Sequence, residues 1–508
     1  MNFIRIHFLR RLAPHYGPHY GVAAQGCLRG LGLIYVISFW SLASQIVALS
    51  GSKGLLPASI IKSFLREQSG VMAPAQFPSL LWLSSDSLML LALTGLGAIA
   101  GLCLLYGFYP WFSALLSWVC WVSLLQFCQP WMSTPSDYLT AEVGFFALFL
   151  LTPLTRFYPP PDKMGSHITG IIFLNGLLFK VLFSSGLAKL TFGSSAWAES
   201  TAFYHFFETQ DFPSTAAWFV HLFPATLLKY GVWGMMFIEI MLPFYIFLPR
   251  IFRNILAGAL GIEALILLIT GNHGALPLLL LLLAFVLIDD VSWRKILPES
   301  WGPSASIQMY QPSLSSFALF IMILPLMIWQ TYSMNPHKIF PPWRQVEDVL
   351  GSVHAANTYA LFPTVEPTRQ ELSLQGSVDG RAWVEYRFKL KPTDPRSAPG
   401  LSLMHLPRLD QQFVQFAAGL NNESNGDLPL WLYRLIENLL LNDPGAQSLF
   451  PVNPFPDQPP RFMRLALYEY SYADPVAHRE DDVWWTREFV RLYGPVFSLD
   501  SAATPQKL

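Results

Sequence analysis

Apolar residues run through this chain in long blocks separated by short polar breaks. A helix rising 1.5 Å per residue needs about 20 apolar residues to cross a bilayer. About nine blocks reach or approach that length: 27–49, 88–108, 111–128, 138–154, 168–187, 226–248, 251–270, 275–288 and 314–331. The eighth is short and follows a turn at Gly271–Gly274. The pattern predicts a polytopic α-helical membrane protein. Residues 1–26 read as a cytoplasmic N-terminal tail, 27–332 as the transmembrane helical domain and 333–508 as a soluble region.

One break is unlike the others. Ser185–Pro224 is too polar to cross a bilayer and too aromatic for a plain solvated loop. It holds Lys189, Trp197, Tyr204, His205, Glu208, Gln210, Trp218 and His221. The expectation is an ordered interfacial segment at 185–224.

Beyond Met334 the period changes. Arg369–Lys391 alternates around Asp379–Gly380, a strong hairpin signal, with Trp383, Tyr386 and Phe388 as aromatic strand residues. Leu428–Leu441 places Leu432, Leu435, Ile436 and Leu439 on one helical face, and Phe462–Tyr472 reads as a strand. Trp484 and Trp485 are expected to lie against the membrane. The whole reads as a C-terminal α+β, β-rich domain of about 170 residues, of ordinary domain size.

Composition sharpens the class. The chain is 53% hydrophobic and 13% charged, where soluble proteins carry roughly 25% charged residues. A net charge of −1 gives no case for nucleic acid. Lys and Arg set orientation. Arg5, Arg10, Arg11, Arg29, Arg156, Lys163, Arg250, Arg253, Arg294 and Lys295 fall on one side if the N-terminus is cytosolic. Lys53, Lys62, Arg66 and Lys189 fall on the other. The interfacial segment and the C-terminal domain are then non-cytoplasmic: lumenal in an ER membrane if eukaryotic, periplasmic at an inner membrane if bacterial. No cleavage site precedes Arg29, so the first block is expected to act as its own insertion signal. The four cysteines, Cys27, Cys103, Cys120 and Cys128, all lie in or beside apolar blocks. That excludes a disulfide framework in the C-terminal domain and a CxxC redox centre.

Several polar residues invite chemistry. Lys180, Glu142, Glu239 and Glu263 sit inside apolar blocks. A charge at the bilayer centre costs at least about 2.5 kcal/mol, so Lys180 is expected to pair with one of the glutamates. The alternatives are a ligand- or proton-handling cavity, or snorkelling to an interface. His205 and Glu208, three apart, share a face if helical. With His221 they suit an interfacial hydrogen-bond cluster, a client contact or a metal, although the spacing matches no standard metal motif. No metal and no cofactor are expected. Arg408 and Asp410 flank Leu409 and suit a local structural salt bridge or an anchor for the hairpin, and His405 with Asp410 suggests acid–base chemistry without a nucleophile. The chain has no GxSxG elbow, P-loop or dinucleotide fingerprint. Asn422 opens an Asn-Glu-Ser acceptor triplet.

Nine motifs in order carry a resemblance. They are GLLPA (54–58), FPSLLWLSSD (77–86), LLFKVLFSSGLAKL (177–190), YHFFETQDFP (204–213), GNHG (271–274), LIDD (287–290), SVDGRAWVEYRFKLKP (377–392), LPRLDQQFVQFAAG (406–419) and NPFPDQPPRFMRLALYEYSY (453–472). Together they resemble the lipase maturation factor family from about Gly30 to Pro475. The chain departs from the family at Gln411–Phe416, where tryptophans are common. The resemblance implies a multi-pass ER membrane protein that assists folding and assembly of secreted lipases.

The leading expectation is therefore a membrane-embedded maturation factor or chaperone. Its partners would be a secreted client, a lipase by resemblance, and membrane lipid. Candidate contact residues are Trp197, Tyr204, His205, Glu208, Gln210, His221, Asn272, His273, Trp383, Arg408 and Asp410, with Trp218 as a further exposed aromatic. The rival is an integral-membrane enzyme using Lys180, His205 and Glu208 or Glu263 around a polar cavity, similar in layout to the vitamin K-dependent carboxylases. A transporter lacks a visible inverted repeat.

Overall fold

The computed structural model describes residues 20–151, 168–296, 341–402, 404–420 and 427–499. The ninth block at 314–331, Asn422, and the loop and tail cations Arg5, Arg10, Arg11, Arg156 and Lys163 lie outside the described residues.

Six helices among the described residues are long and apolar enough to cross a membrane. They are α1 (Gly21–Ala43), α2 (Ser87–Tyr106), α3 (Pro110–Phe127), α5 (Ile168–Thr191), α6 (Ala225–Ile240, extended by a 3-10 turn to Phe247) and α7 (Arg250–Thr270). Between them lie α4 (Pro135–Ala147, 13 residues) and α8 (Leu276–Leu287, 12 residues). Both were expected as spans. At 1.5 Å per residue they rise only about 20 Å, short of a hydrocarbon core of about 30 Å. Their side chains are mostly buried inside the bundle.

Local chemistry sets the helix ends. The first helix begins at Gly21, six residues before the apolar block, because Asp290 accepts the Gly21 and Val22 amides at 2.9 Å each. That carboxylate satisfies two donors the helix itself cannot. Thr134 and Asp137 form a capping box that starts α4. Where α1 crosses α2, Gly32 lets the backbones touch. A Cβ there would sit 2.5 Å from the Leu105 nitrogen and 2.7 Å from the Gly101 oxygen, the small-residue contact typical of membrane helices.

The interfacial segment is ordered. After α5 the chain forms short helices at Ser195–Ala198, Ala202–Thr209 and Thr215–His221 before entering α6.

The C-terminal domain holds a four-stranded antiparallel sheet in the order β2-β1-β3-β4. Strand β1 (Arg369–Ser377) pairs along its whole length with β3 (Phe462–Tyr472), from Arg369↔Tyr470 to Ser377↔Phe462. The expected hairpin forms, but its return strand β2 is only Val384–Glu385. Asp379 closes the turn by accepting the Arg381 and Ala382 amides. Strand β4 (Trp485–Phe497) completes the sheet. Trp485, expected against the membrane, is instead buried and stacked on Tyr472. Helices α9 (Arg408–Ala418) and α10 (Leu430–Leu440) pack in the same core.

That core is not closed by the C-terminal domain alone. Leu49, Leu55, Leu56 and Trp131, all from the bundle end, belong to it. The Trp131 ring lies 5.8 Å from that of Trp431. The GLLPA motif is thus a hydrophobic plug between the two halves.

Candidate functional site

The polar residues singled out in the sequence gather at the seam between the bundle end and the C-terminal domain. Each half presents groups that it cannot satisfy alone.

The helix Ala202–Thr209 ends with unpaired carbonyls, as every helix does. Arg369, the first residue of β1, takes them. Its guanidinium donates to the carbonyls of Glu208 (2.9 Å), Gln210 (2.5 Å) and Asp211 (2.8 Å). A cation at a helix C-terminus also meets the negative end of the dipole. Glu371 holds the other side of Arg369 at 2.6 Å and is shared with Lys391 at 3.2 Å.

Tyr472 adds a second clasp. Its amide donates to the Glu208 carboxylate at 2.5 Å, and its hydroxyl to the Phe207 carbonyl at 3.0 Å. The His221 ring lies 5.3 Å from the Tyr472 ring. Burial pushes the His221 pKa down, against the neighbouring Glu208 carboxylate, which raises it. So His205, Glu208 and His221 come near one another, with Glu208 spent on the β3 backbone. Among the described residues no group of three His, Cys, Asp or Glu could hold a metal ion.

Arg408 makes the third clasp. It donates to both Asp137 oxygens at 2.6 and 2.8 Å and to the Trp131 carbonyl at 3.0 Å. The salt bridge expected with Asp410 is absent. Asp410 instead accepts the Leu390 and Lys391 amides at 2.7 and 3.2 Å, and burial pushes its carboxyl pKa up. His405 does not meet Asp410 either; its Nδ1 bonds Ser41 at 3.0 Å. The reason is geometric. Residues two apart at a helix start point in different directions, so each finds a partner on another element.

The remaining candidates follow the same rule. Asn272 donates to the Gly400 carbonyl (2.8 Å) and accepts from the Ser402 amide (2.7 Å), which ties GNHG to the C-terminal domain. Trp218 is not exposed: its indole donates to the Ala473 carbonyl at 3.1 Å. Trp197 is buried beneath the Lys189 ammonium, 5.0 Å from the ring centre. Tyr204 donates to the Ala225 carbonyl at 3.1 Å. Trp383 is half-buried under the Arg464 guanidinium, at 4.2 Å. Gln210 donates to the Thr270 carbonyl at 3.1 Å. His273 faces the Phe362 ring, and burial lowers its pKa to about 4.

Two ion pairs lie deeper. Lys180 pairs with Glu142, and the other Glu142 oxygen accepts from Tyr359 (2.7 Å) and Asn357 (3.2 Å). Lys189 holds both Glu239 oxygens at 2.8 Å and the Leu361 carbonyl at 2.6 Å. The expected Lys180–glutamate pair therefore exists. Sequence reasoning missed that Lys189 makes a second pair and that residues 357–361 cap both. The nine-residue spacing of the two lysines, about two and a half helical turns, was the available signal.

Alongside the seam runs a cavity of about 470 Å³, walled by Phe206–Asp211, the Asn272–His273 turn, residues 360–366 and one face of α9.

Sequence comparison agrees with this layout. The lipase maturation factor transmembrane domain profile matches residues 22–295, and the lipase maturation factor C-terminal domain profile matches residues 355–495. The chain belongs to the lipase maturation factor family. It is similar to lipase maturation factor 1 of Bos taurus, 30% identical over 92% of this chain and 87% of the relative. It is 29% identical to lipase maturation factor 1 of Mus musculus over 93% and 86%. It is 26% identical to lipase maturation factor 2 of Xenopus tropicalis over 94% and 82%. No solved structure matches the chain. This family member is a multi-pass membrane protein by the six apolar helices among its described residues and its family's transmembrane domain.

Proposed function

We propose that this protein is a membrane-embedded maturation factor that assists a secreted, lipase-like client to fold or assemble. In this reading the seam and the C-terminal domain face the ER lumen or the periplasm, where the client passes. The observation that carries it is the collection of polar and aromatic elements from both halves at one end of the bundle, joined through Arg369, Tyr472 and Arg408. The Lys and Arg bias of the loops and the printed names of the relatives support it. The intramembrane enzyme has less to stand on. Its lysine is buried against Glu142, and Glu208 is engaged by β3.

Two measurements test this. Co-expression with a secreted homodimeric lipase should raise secreted active enzyme several-fold over cells lacking the protein; unchanged yield across several lipases rejects the role. A cysteine placed at exposed Val452 should react with a membrane-impermeant maleimide from the non-cytoplasmic side of sealed vesicles. Labelling only from the cytoplasmic side reverses the topology.

A further inference from the structure

Deepening the maturation-factor reading, we propose that the seam cavity is a peptide-binding groove, which takes an extended client segment by an apolar or aromatic side chain. The cavity, at about 470 Å³, lies in the range of sites that bury ligand-sized groups. Its floor is buried and apolar, formed by Phe206, Leu276, Leu361 and Leu406. Its mouth is open, with Thr364, Glu366, Gln415, Ala418 and Gly419 exposed. An apolar floor beneath a solvated mouth removes a large side chain from water.

The polar groups decide the class of ligand. Gln210, Asn272, Gln411 and Gln415 line the cavity wall. Asn272 is spent on Gly400 and Ser402, Gln210 gives its N–H to Thr270 and Gln411 to Asp211, while Gln415, exposed at the mouth, offers a carboxamide that pairs with a peptide group. Gln210 Oε1 and His273 Nε2 are buried with no hydrogen-bond partner among the described residues. Both residues line the cavity, so a peptide N–H or a Trp or Tyr side chain entering it is the partner they are offered. Burial keeps the His273 ring neutral near pH 7. No Lys or Arg is among the described lining residues, so the groove has no built-in partner for a phosphate headgroup. Of the acids, Asp211 is held by Gln411 at 2.5 Å, and Glu366 stands at the rim.

The test uses the full chain in lipid nanodiscs. The probe is fluorescein-labelled, reduced and carboxymethylated α-lactalbumin, a permanently unfolded protein, followed by anisotropy. Ala418→Trp fills the mouth from an exposed position; Val476→Trp, exposed and outside the cavity lining, is the control. Thermal unfolding verifies that both variants fold, and Gln415→Arg replaces Ala418→Trp if that variant does not. The expected result is saturable binding by the natural protein and the control, weakened at least tenfold by the mouth substitution. Equal binding by all three overturns the groove while leaving the maturation role standing. Absence of binding by the natural protein counts against the maturation reading itself. Binding that follows the anionic lipid content of the discs, or displacement of the probe by glycerophosphoserine, makes the site a headgroup site and overturns the proposal.

Discussion

Arg369 and Arg408 do the same job at opposite poles of two helices. Both reach from the C-terminal domain into the bundle end, and both are buried. Arg369 meets the C-terminus of Ala202–Thr209, where bare carbonyls and the dipole already welcome a cation. Arg408 meets the N-terminus of α4, where the dipole opposes it, and there a carboxylate is present: Asp137, gripped through two parallel bonds. At a helix C-terminus the backbone is a sufficient partner for arginine. At an N-terminus a side-chain charge must first reverse the local field.

The comparison makes its largest prediction at Asp137. Asp137→Ala leaves Arg408 buried beside a positive helix end and also removes half of the α4 capping box. The expected loss is about 3–5 kcal/mol, the usual cost of stranding one member of a buried pair, read as a lower unfolding temperature in detergent. Arg369→Ala should cost less, about 2–3 kcal/mol, because Glu371, though it loses Arg369, keeps Lys391 as a counter-charge, and the other lost partners are neutral carbonyls. Equal losses for the two variants would break the contrast between the poles. Trp218→Phe removes one neutral bond to Ala473 and should cost about 1 kcal/mol. A larger drop would mean that the Trp218 ring, packed on Trp484 and His478, carries more of the seam than its indole N–H.

The smallest effect is expected from acid at His273. Its folded pKa is lowered to about 4 by burial, below its ordinary value near 6.5. Between those values the unfolded chain binds a proton that the folded chain does not, so stability falls as pH drops through that window. Although its Nε2 is buried, His273 as a whole is only half-buried, so solvent screening should hold the loss to about 1 kcal/mol. His273→Gln should flatten unfolding temperature against pH between 6.5 and 4; an unaltered slope assigns it to other groups.

How much was legible beforehand differs between the two halves. Blocks of about twenty apolar residues located α2, α3 and α7 to within one or two residues, because bilayer thickness sets their length directly. Phe462–Tyr472 was read correctly end to end, since alternation defines a strand facing a core. The same logic read α4 and α8 as spans although each is shorter than 18 residues, because a buried helix in a bundle is as apolar as a span. At the seam the residues were flagged but their partners were not. Arg408 was matched to its neighbour Asp410, whereas Asp137 lies 271 residues away in sequence.

The sequence by itself therefore determined the class of molecule, the long apolar helices, the strands β1 and β3, the family and the demand that Lys180 find a counter-charge. Those are properties of composition, period and solvation cost, which act locally along the chain. Only the tertiary structure decided which charge meets which, that residues 357–361 cap the ion pairs of both α5 lysines, and that GLLPA completes the core of a domain three hundred residues further on. Ion pairing and hydrogen bonding depend on a few ångströms between elements that no spacing rule encodes, and burial makes each such match costly to leave unmade.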